Sequence, residues 1–225
     1  MRTMRLCIVL CVVEFGGSAC TYTGAIRDDF YRPVAQQDQK IPRKVVLDWD
    51  KSRKVLRMTP VISLDIDLNP GLVNAVKAEL STVFEEVTMM DDSRRLTDSD
   101  LLAYVSANIV QSGFGRSYTC HVNVALSDAR SKKLISNFEN AAPIEIGTPG
   151  GAYSAMLLTV ASLGMAFPGL YEFAAESYGT RAIDQLEAKL SEIIRMIAAD
   201  IRSKRKLVRT GLSSSFRRPA TSAAG

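Results

Sequence analysis

Residues 117–126 alternate large apolar side chains with polar or small ones. The apolar side chains recur at every second position, at Tyr118, Cys120, Val122, Val124 and Leu126. Successive side chains of a β-strand point to opposite faces, so this pattern predicts a strand with one face in the core. We expect Cys120 on that core face, as an inert buried thiol. His121 falls on the open face, where local spacing places no acid or nucleophile beside it, so we do not expect it to act in catalysis.

Shorter alternating runs predict further strands at residues 44–50, 61–68, 101–109 and 134–139. We expect residues 55–58 to pair back on the first run as a hairpin. Residues 87–90 and the pair Ile144 and Ile146 are expected to add short extensions. The run 101–109 also fits one face of a helix, so that alternative stays open.

Two of these strands carry more specific expectations. Leu134, Ser136 and Phe138 share one face of the run 134–139. Asp65 and Asp67 point outward from the run 61–68, which indicates a solvated face, because a hard cation needs more oxygen ligands than this stretch offers.

Apolar stripes at helical spacing predict two long helices. The first covers residues 70–87, with Asn69 as its cap and Pro70 at its first position. The second covers residues 180–201. Together with the strands, these helices predict an α+β fold: a mostly antiparallel sheet of four or five strands, with both helices packed on one face. We assign this domain to residues 44–201.

An apolar segment at residues 152–175 allows two interpretations. Residues 146–171 carry no charge, and a helix that spans a bilayer needs about 20 apolar residues. A span through residues 152–171 would make the protein an inner-membrane subunit. Pro168 and Gly169 interrupt the run, however, which favours a buried helix or an apolar patch.

The first 19 residues have the features of a secretory signal peptide. Arg2 and Arg5 precede the apolar run 6–13, and small residues follow at 16–19. The apolar run is too short to span a membrane. A plain cleaved signal or an uncleaved amino-terminal helix would also fit this pattern.

Because the small residues end on Cys20, this stretch also resembles the lipobox of bacterial lipoproteins. The resemblance covers about the first 21 residues. Gly17 and Glu14 depart from the usual pattern. The resemblance implies that the Cys20 thiol takes a diacylglycerol, that residues 1–19 are removed, and that the new amino terminus is acylated. Thr21 after the cysteine implies the outer membrane, facing the periplasm. We expect residues 20–43, which are polar and show no sustained period, to form a flexible tether.

The net charge of +4 is unevenly distributed. Seven basic residues and no acidic ones follow Asp200, and residues 1–19 hold two basic and one acidic. Removing these from the 28 basic and 24 acidic residues leaves 19 and 23 for residues 20–201. We expect residues 202–225 to be a basic, disordered tail. A merely solvated tail is the first expectation. If the tail has a contact, we expect anionic lipid, lipopolysaccharide or an acidic partner, and not nucleic acid, because an exported protein rarely meets it.

No constellation of catalytic residues is evident in the sequence. We therefore expect a non-enzymatic binding or assembly factor of the cell envelope, with the membrane as a partner through Cys20 and a further envelope protein that the sequence does not identify. No cofactor, metal site or catalytic residue is predicted. An envelope hydrolase whose site forms only in the fold remains the alternative.

Overall fold

The computed structural model describes residues 9–12, 19–34, 39–52, 54–57, 62–90, 99–112, 117–145 and 168–210. In chain order these residues form β1 (Val9–Val12), β2 (Ala19–Ala25), β3 (Ile41–Trp49), β4 (Lys54–Arg57), β5 (Ile62–Asp67), α1 (Gly71–Val83), β6 (Phe84–Met89), β7 (Leu101–Ser112), β8 (Ser117–Asp128), β9 (Leu134–Glu145), α2 (Pro168–Ser203) and α3 (Arg205–Thr210). The expected α+β class is confirmed.

A five-stranded sheet has the order β6-β3-β7-β8-β9. Strands β7, β8 and β9 are antiparallel neighbours, whereas β3 is parallel to both β6 and β7. The sheet is therefore mixed rather than antiparallel throughout. Parallel neighbours need a long connection, which the chain between β3 and β6 supplies through β4, β5 and α1.

A second sheet, with the order β1-β2-β5-β4, was not predicted. Strand β2 is parallel to β5, and β1 is antiparallel to β2. The expected hairpin between residues 44–50 and 55–58 is wrong, because β4 pairs with β5 instead, from Lys54 opposite Ile66 to Arg57 opposite Ser63.

Both long helices pack on the same face of the five-stranded sheet. Val76 and Leu80 of α1 and Ile194 and Ile197 of α2 meet around Val124 of β8. The alternation in β8 is as predicted, with Tyr118, Cys120, Val122, Val124 and Leu126 all buried. Strand β7 likewise confirms the strand interpretation of residues 101–109 over the helical one.

Both predicted ends of α1 and one predicted strand face are wrong. Helix α1 ends at Val83, and Phe84 begins β6, because Phe84 and Val87 sit opposite Ile41 and Val45 of β3. The helix cap is Pro70 rather than Asn69, whose side-chain amide donates to the Asp50 carbonyl at 3.1 Å. In β9, Leu134 is 50% exposed while Ile135 is buried, because the register shifts between Leu126 and Ser127.

Helix α2 begins at Pro168, well before the expected start at residue 180. A proline suits the first turn, because its missing N–H has no helical partner there. Part of the expected disordered tail is helical, since α3 covers Arg205–Thr210 and buries Val208. The apolar residues 152–167 and the last residues, 211–225, lie outside the described part of the chain. Among the described residues, no helix is both long and apolar enough to cross a membrane.

Candidate membrane anchor

Cys20 lies in β2, between two neighbouring strands. It is opposite Cys11 of β1 on one side and opposite Ile62 of β5 on the other. Strand β1, which precedes the expected processing site, is at the edge of its sheet. Loss of residues 1–19 would therefore remove an edge strand and leave β2, β5 and β4 paired. Over Val9–Val12 the apolar run is a strand, not the amino-terminal helix that was one interpretation of it.

The chain after Cys20 packs directly against α2. Tyr22 is only 1% exposed, and its ring lies so close to Gly179 of α2 that a side chain on this glycine would overlap it. One turn further along the helix, a Cβ on Gly24 would come within 2.7 Å of the Ile183 Cδ1 atom. Glycine at these two positions lets strand and helix approach this closely.

An ion pair fixes the next part of the segment. Glu187 of α2 is buried, and one of its carboxylate oxygens accepts a hydrogen bond from the Arg27 backbone N–H at 2.8 Å. The other oxygen accepts from Arg27 Nε at 2.8 Å and also from Nη2. This contact with Glu187 raises the pKa of Arg27 above its ordinary value. Because one end of the pair is buried and doubly hydrogen-bonded, its geometry is well defined.

A second polar cluster joins Tyr31 to both long helices. The Tyr31 hydroxyl donates to Glu79 of α1 at 2.6 Å. Arg202 of α2 donates from Nη2 to the same carboxylate at 3.3 Å and to the Thr82 hydroxyl at 2.6 Å. The Arg195 guanidinium lies 5.5 Å from the centre of the Tyr31 ring. Burial, and then the bond to Glu79, raises the pKa of Tyr31.

These contacts contradict a flexible tether over residues 20–43. Each contact lies further along α2 than the one before it, and the series ends where Arg205 and Arg209 of α3 meet Lys40 and Arg43. Residues 35–38 lie outside the described part. The sequence concealed this arrangement, because Tyr22, Ile26, Tyr31 and Ile41 are all buried but follow no strand or helix period.

Cys120 and His121 lie on the faces that the sequence predicted. Cys120 is a free, fully buried cysteine, and burial raises the pKa of its thiol to about 12. The His121 Nδ1 atom, on the open face, is 3.3 Å from Glu139 Oε1 of β9. Sequence spacing missed this carboxylate, because it comes from the next strand. The two side chains are 36% and 55% exposed, so the pair lies on an open surface.

The described residues contain no group of His, Cys, Asp or Glu side chains that could hold a metal ion. Asp67 instead accepts a hydrogen bond from the Asn69 backbone N–H at 2.9 Å. Asp65 and Asp67 are half-buried on the outer face of β5, as the alternation predicted.

No protein-family model matches the chain, and no curated protein matches it. Solved structures that match the chain include a Xanthomonas campestris protein of the family DUF330, with 10% identity and a TM-score of 0.47, over 82% of this chain and 97% of that one. The PelC dodecamer of Paraburkholderia phytofirmans has 10% identity and a TM-score of 0.27, over 55% of this chain and 86% of that one. A Helicobacter pylori homologue of a neuraminyllactose-binding hemagglutinin has 9% identity and a TM-score of 0.29, over 80% and 99%. Likenesses this distant assign no function.

Proposed function

We propose that the protein is a lipid-anchored component of the cell envelope, held in the outer membrane with its body in the periplasm. Cys20 carries the lipid and is the first residue of the mature chain. The body acts as a non-enzymatic binding or assembly factor. Three acyl chains would hold it firmly, since each buried CH₂ contributes about 0.8 kcal/mol and one chain alone is marginal.

The observation that carries this proposal is the place where the folded body begins. Tyr22, two residues after Cys20, is fully buried against α2. The lipobox-like pattern therefore puts the cut after the first residue of β2, beyond the edge strand β1 and before Tyr22, where the packing against α2 begins. A cut here removes a peptide whose loss leaves the rest of both sheets paired.

The pairing of β2 with its neighbours also implies an order for cleavage and folding. The bond between Ala19 and Cys20 lies inside β2, which is paired on both sides before processing. A peptidase needs an unpaired, extended substrate, so cleavage must precede the pairing of β2 with β1. The mature protein then stands directly on the membrane without a leash.

Metabolic labelling with radioactive palmitate tests the anchor. The wild-type chain is expressed in a Gram-negative host beside Cys20→Ser and a matched control, Cys11→Ser, which changes the residue opposite Cys20 in β1. We expect label in the wild type and in the control, in the outer-membrane fraction, and none in Cys20→Ser. Equal labelling of all three would show that Cys20 is not the acylated residue.

Mass measurement of the purified chain complements the labelling. The expected mature mass lacks residues 1–19 and includes the lipid. A full-length chain that fractionates with the inner membrane would contradict the proposal and favour attachment through residues 152–171 instead.

A further inference from the structure

Three segments meet at the end of the molecule where α2 ends. They are α3, residues 40–44 at the start of β3, and the turn 129–133 between β8 and β9. Arg205 Nη2 donates to the Lys40 carbonyl at 3.1 Å, and Arg43 Nη2 donates to the Arg209 carbonyl at 2.7 Å. The turn joins them through Asp100, whose carbonyl accepts from the Ala129 N–H at 3.1 Å and whose carboxylate accepts from the Lys44 N–H at 3.0 Å.

This end of the molecule, which we call the basic end, has an excess of exposed cations. They come from all three segments and from the residue between the two helices: Lys40, Lys44, Arg130, Lys132, Lys133, Lys204, Lys206 and Arg209. Most of the acidic side chains there already have contacts, whereas Glu85, beside Phe84 of β6, is exposed and offsets one of the cations. Asp100 pairs with Arg43 at 3.5 Å and Glu86 with Lys44 at 3.3 Å, and Asp128 accepts three hydrogen bonds from its own turn. The remaining positive charge faces solvent.

The basic end lies far from Cys20. Tyr22 is beside Gly179, and α2 continues from there to Ser203, which at 1.5 Å per residue is about 36 Å. The two residues from Cys20 to Tyr22 add about 7 Å of strand in the same direction. A separation of about 40 Å is several times the Debye length of about 8 Å at physiological salt. Charges on the anchoring bilayer therefore do not reach the basic end when α2 points away from it.

We propose that the basic end is a docking surface for an acidic protein on the side away from the anchoring membrane. This inference rests on the proposed anchor at Cys20, which defines that side. Charge complementarity favours a partner with carboxylates facing this surface. A protein suits it better than a second anionic bilayer, because Glu85 and Asp200, which form no ion pair in the described part of the chain, stand among the cations and a uniformly negative surface would repel them. A protein partner can place its own basic groups opposite these two.

Photo-crosslinking in cells tests the proposal. A photoreactive amino acid replaces Lys206 in the basic end or, as the matched control, the exposed Thr180 of α2, which follows Gly179 at the contact with Tyr22. We expect a protease-sensitive adduct, heavier than the chain, from the probe at position 206 and none from the probe at position 180. Mass spectrometry of the adduct should identify an acidic segment of a different protein.

Charge reversal provides the second readout. With the probe at position 133, Lys206→Glu with Arg209→Glu should lower the yield of the adduct about tenfold. Lys51→Glu with Arg181→Glu reverses one lysine and one arginine away from the basic end, and should leave the yield unchanged. All four side chains are exposed, so both variants should fold as the wild type does.

The other outcomes each contradict the proposal. An adduct heavier than the chain only by the mass of a lipid would identify an anionic bilayer as the occupant, and an adduct of two copies of this chain would identify self-association. Absence of an adduct, or equal yield after charge reversal, would exclude an acidic partner. The two experiments separate a failure of the anchor from a failure of the docking surface. If palmitate label is absent but the adduct forms at position 206, the docking surface is supported and only its orientation to the membrane is wrong.

Discussion

Cys120 illustrates how a single buried side chain responds to its surroundings. In the mature chain with Cys20 acylated, it would be the one thiol left, because Cys7 and Cys11 leave with residues 1–19. Its pKa of about 12 leaves about one thiolate in ten thousand at pH 8. We expect almost no reaction with a thiol-specific disulfide reagent in the folded protein at pH 8. One thiol per chain should react at once in urea, and rapid reaction without denaturant would show that the core around Cys120 opens.

The same thiol should make stability depend on pH. An unfolded cysteine ionises near pH 8.5, well below the folded value of about 12, so the unfolded chain loses its proton first. The free energy of unfolding should therefore be constant below about pH 8 and fall above about pH 9, by up to about 1.4 kcal/mol per pH unit. Urea titrations followed by Trp49 fluorescence between pH 7 and 10 measure this slope. Cys120→Ala should lower stability at every pH but remove the part of the slope that begins below pH 10.

Glu187 is the residue whose charge most directly holds the segment after Cys20. Glu187→Gln leaves Arg27 facing a neutral amide. Because the Glu187 side chain is only 4% exposed but that of Arg27 is 53% exposed, we expect a loss of about 1–3 kcal/mol, less than for a fully buried pair. Amide hydrogen exchange over residues 22–31 should also quicken.

Glu192→Gln is the matched control for this change. Glu192 pairs with Lys189 at 3.0 Å on the exposed side of the same helix. An exposed pair of this kind contributes at most about 0.5 kcal/mol. If the two variants lose the same stability, the contact between Arg27 and Glu187 does not hold the segment.

At the scale of single residues, the sequence predicted the strand face on which a side chain lies, but not the residue that it contacts. The alternation in β8 put Cys120 inward and His121 outward, since it depends only on backbone geometry. The pairs His121 with Glu139 and Arg27 with Glu187 join residues that are far apart in sequence. Such pairs depend on strand register and on helix docking, which no local pattern encodes.

At the scale of elements, the contact between β2 and α2 depends on the absence of a side chain at Gly179. Replacing a glycine inside a helix with alanine usually stabilises the helix by about 1 kcal/mol. Here a Cβ would overlap the base of the Tyr22 ring, which cannot swing away as the end of a flexible chain could. We expect Gly179→Ala to destabilise the protein in urea titrations, by about 1–3 kcal/mol.

A double-mutant cycle separates this clash from helix propensity. In the Tyr22→Ala background the ring is gone, so the same Gly179→Ala change should regain its usual stabilising sign. Additive effects of the two changes would mean that strand and helix are not packed as closely as in the structure.

Elements with a regular period were the ones predicted from the sequence. Strands β7 and β8 and most of α1 and α2 follow their apolar repeats. Strand β2 was missed because Tyr22 is the one buried residue among Tyr22–Ala25, and its small and polar neighbours resemble a linker in composition. The parallel pairing of β3 was missed for a different reason: periodicity predicts which face of a strand is buried but not which strand lies beside it.

At the scale of the whole molecule, the fold would give the proposed lipid-anchored chain two different ends. Residues 22–34 and 39–43 run beside α2 and α3 in the same direction, so one continuous helix holds the proposed anchor and the basic end apart. A flexible tether would have let the basic end fold back onto the bilayer. The packed segment removes that freedom, because Tyr22, Arg27 and Tyr31 are each fixed against a helix.

The orientation of the proposed anchored molecule can therefore be measured through the distance from positions along α2 to the bilayer. A fluorophore at Thr180→Cys or at Ser203→Cys, both exposed, samples two levels of α2 separated by about 35 Å. With the acylated protein in neutral vesicles that contain an acceptor lipid, energy transfer should be efficient from position 180 and weak from position 203. The same labelled proteins in detergent provide the baseline, and the buried Cys120 does not compete for the label. Equal transfer from both positions would mean that α2 lies along the bilayer. In that case the cations of the basic end would sit within a Debye length of lipid phosphates, and those phosphates, not a protein, would be their natural partner.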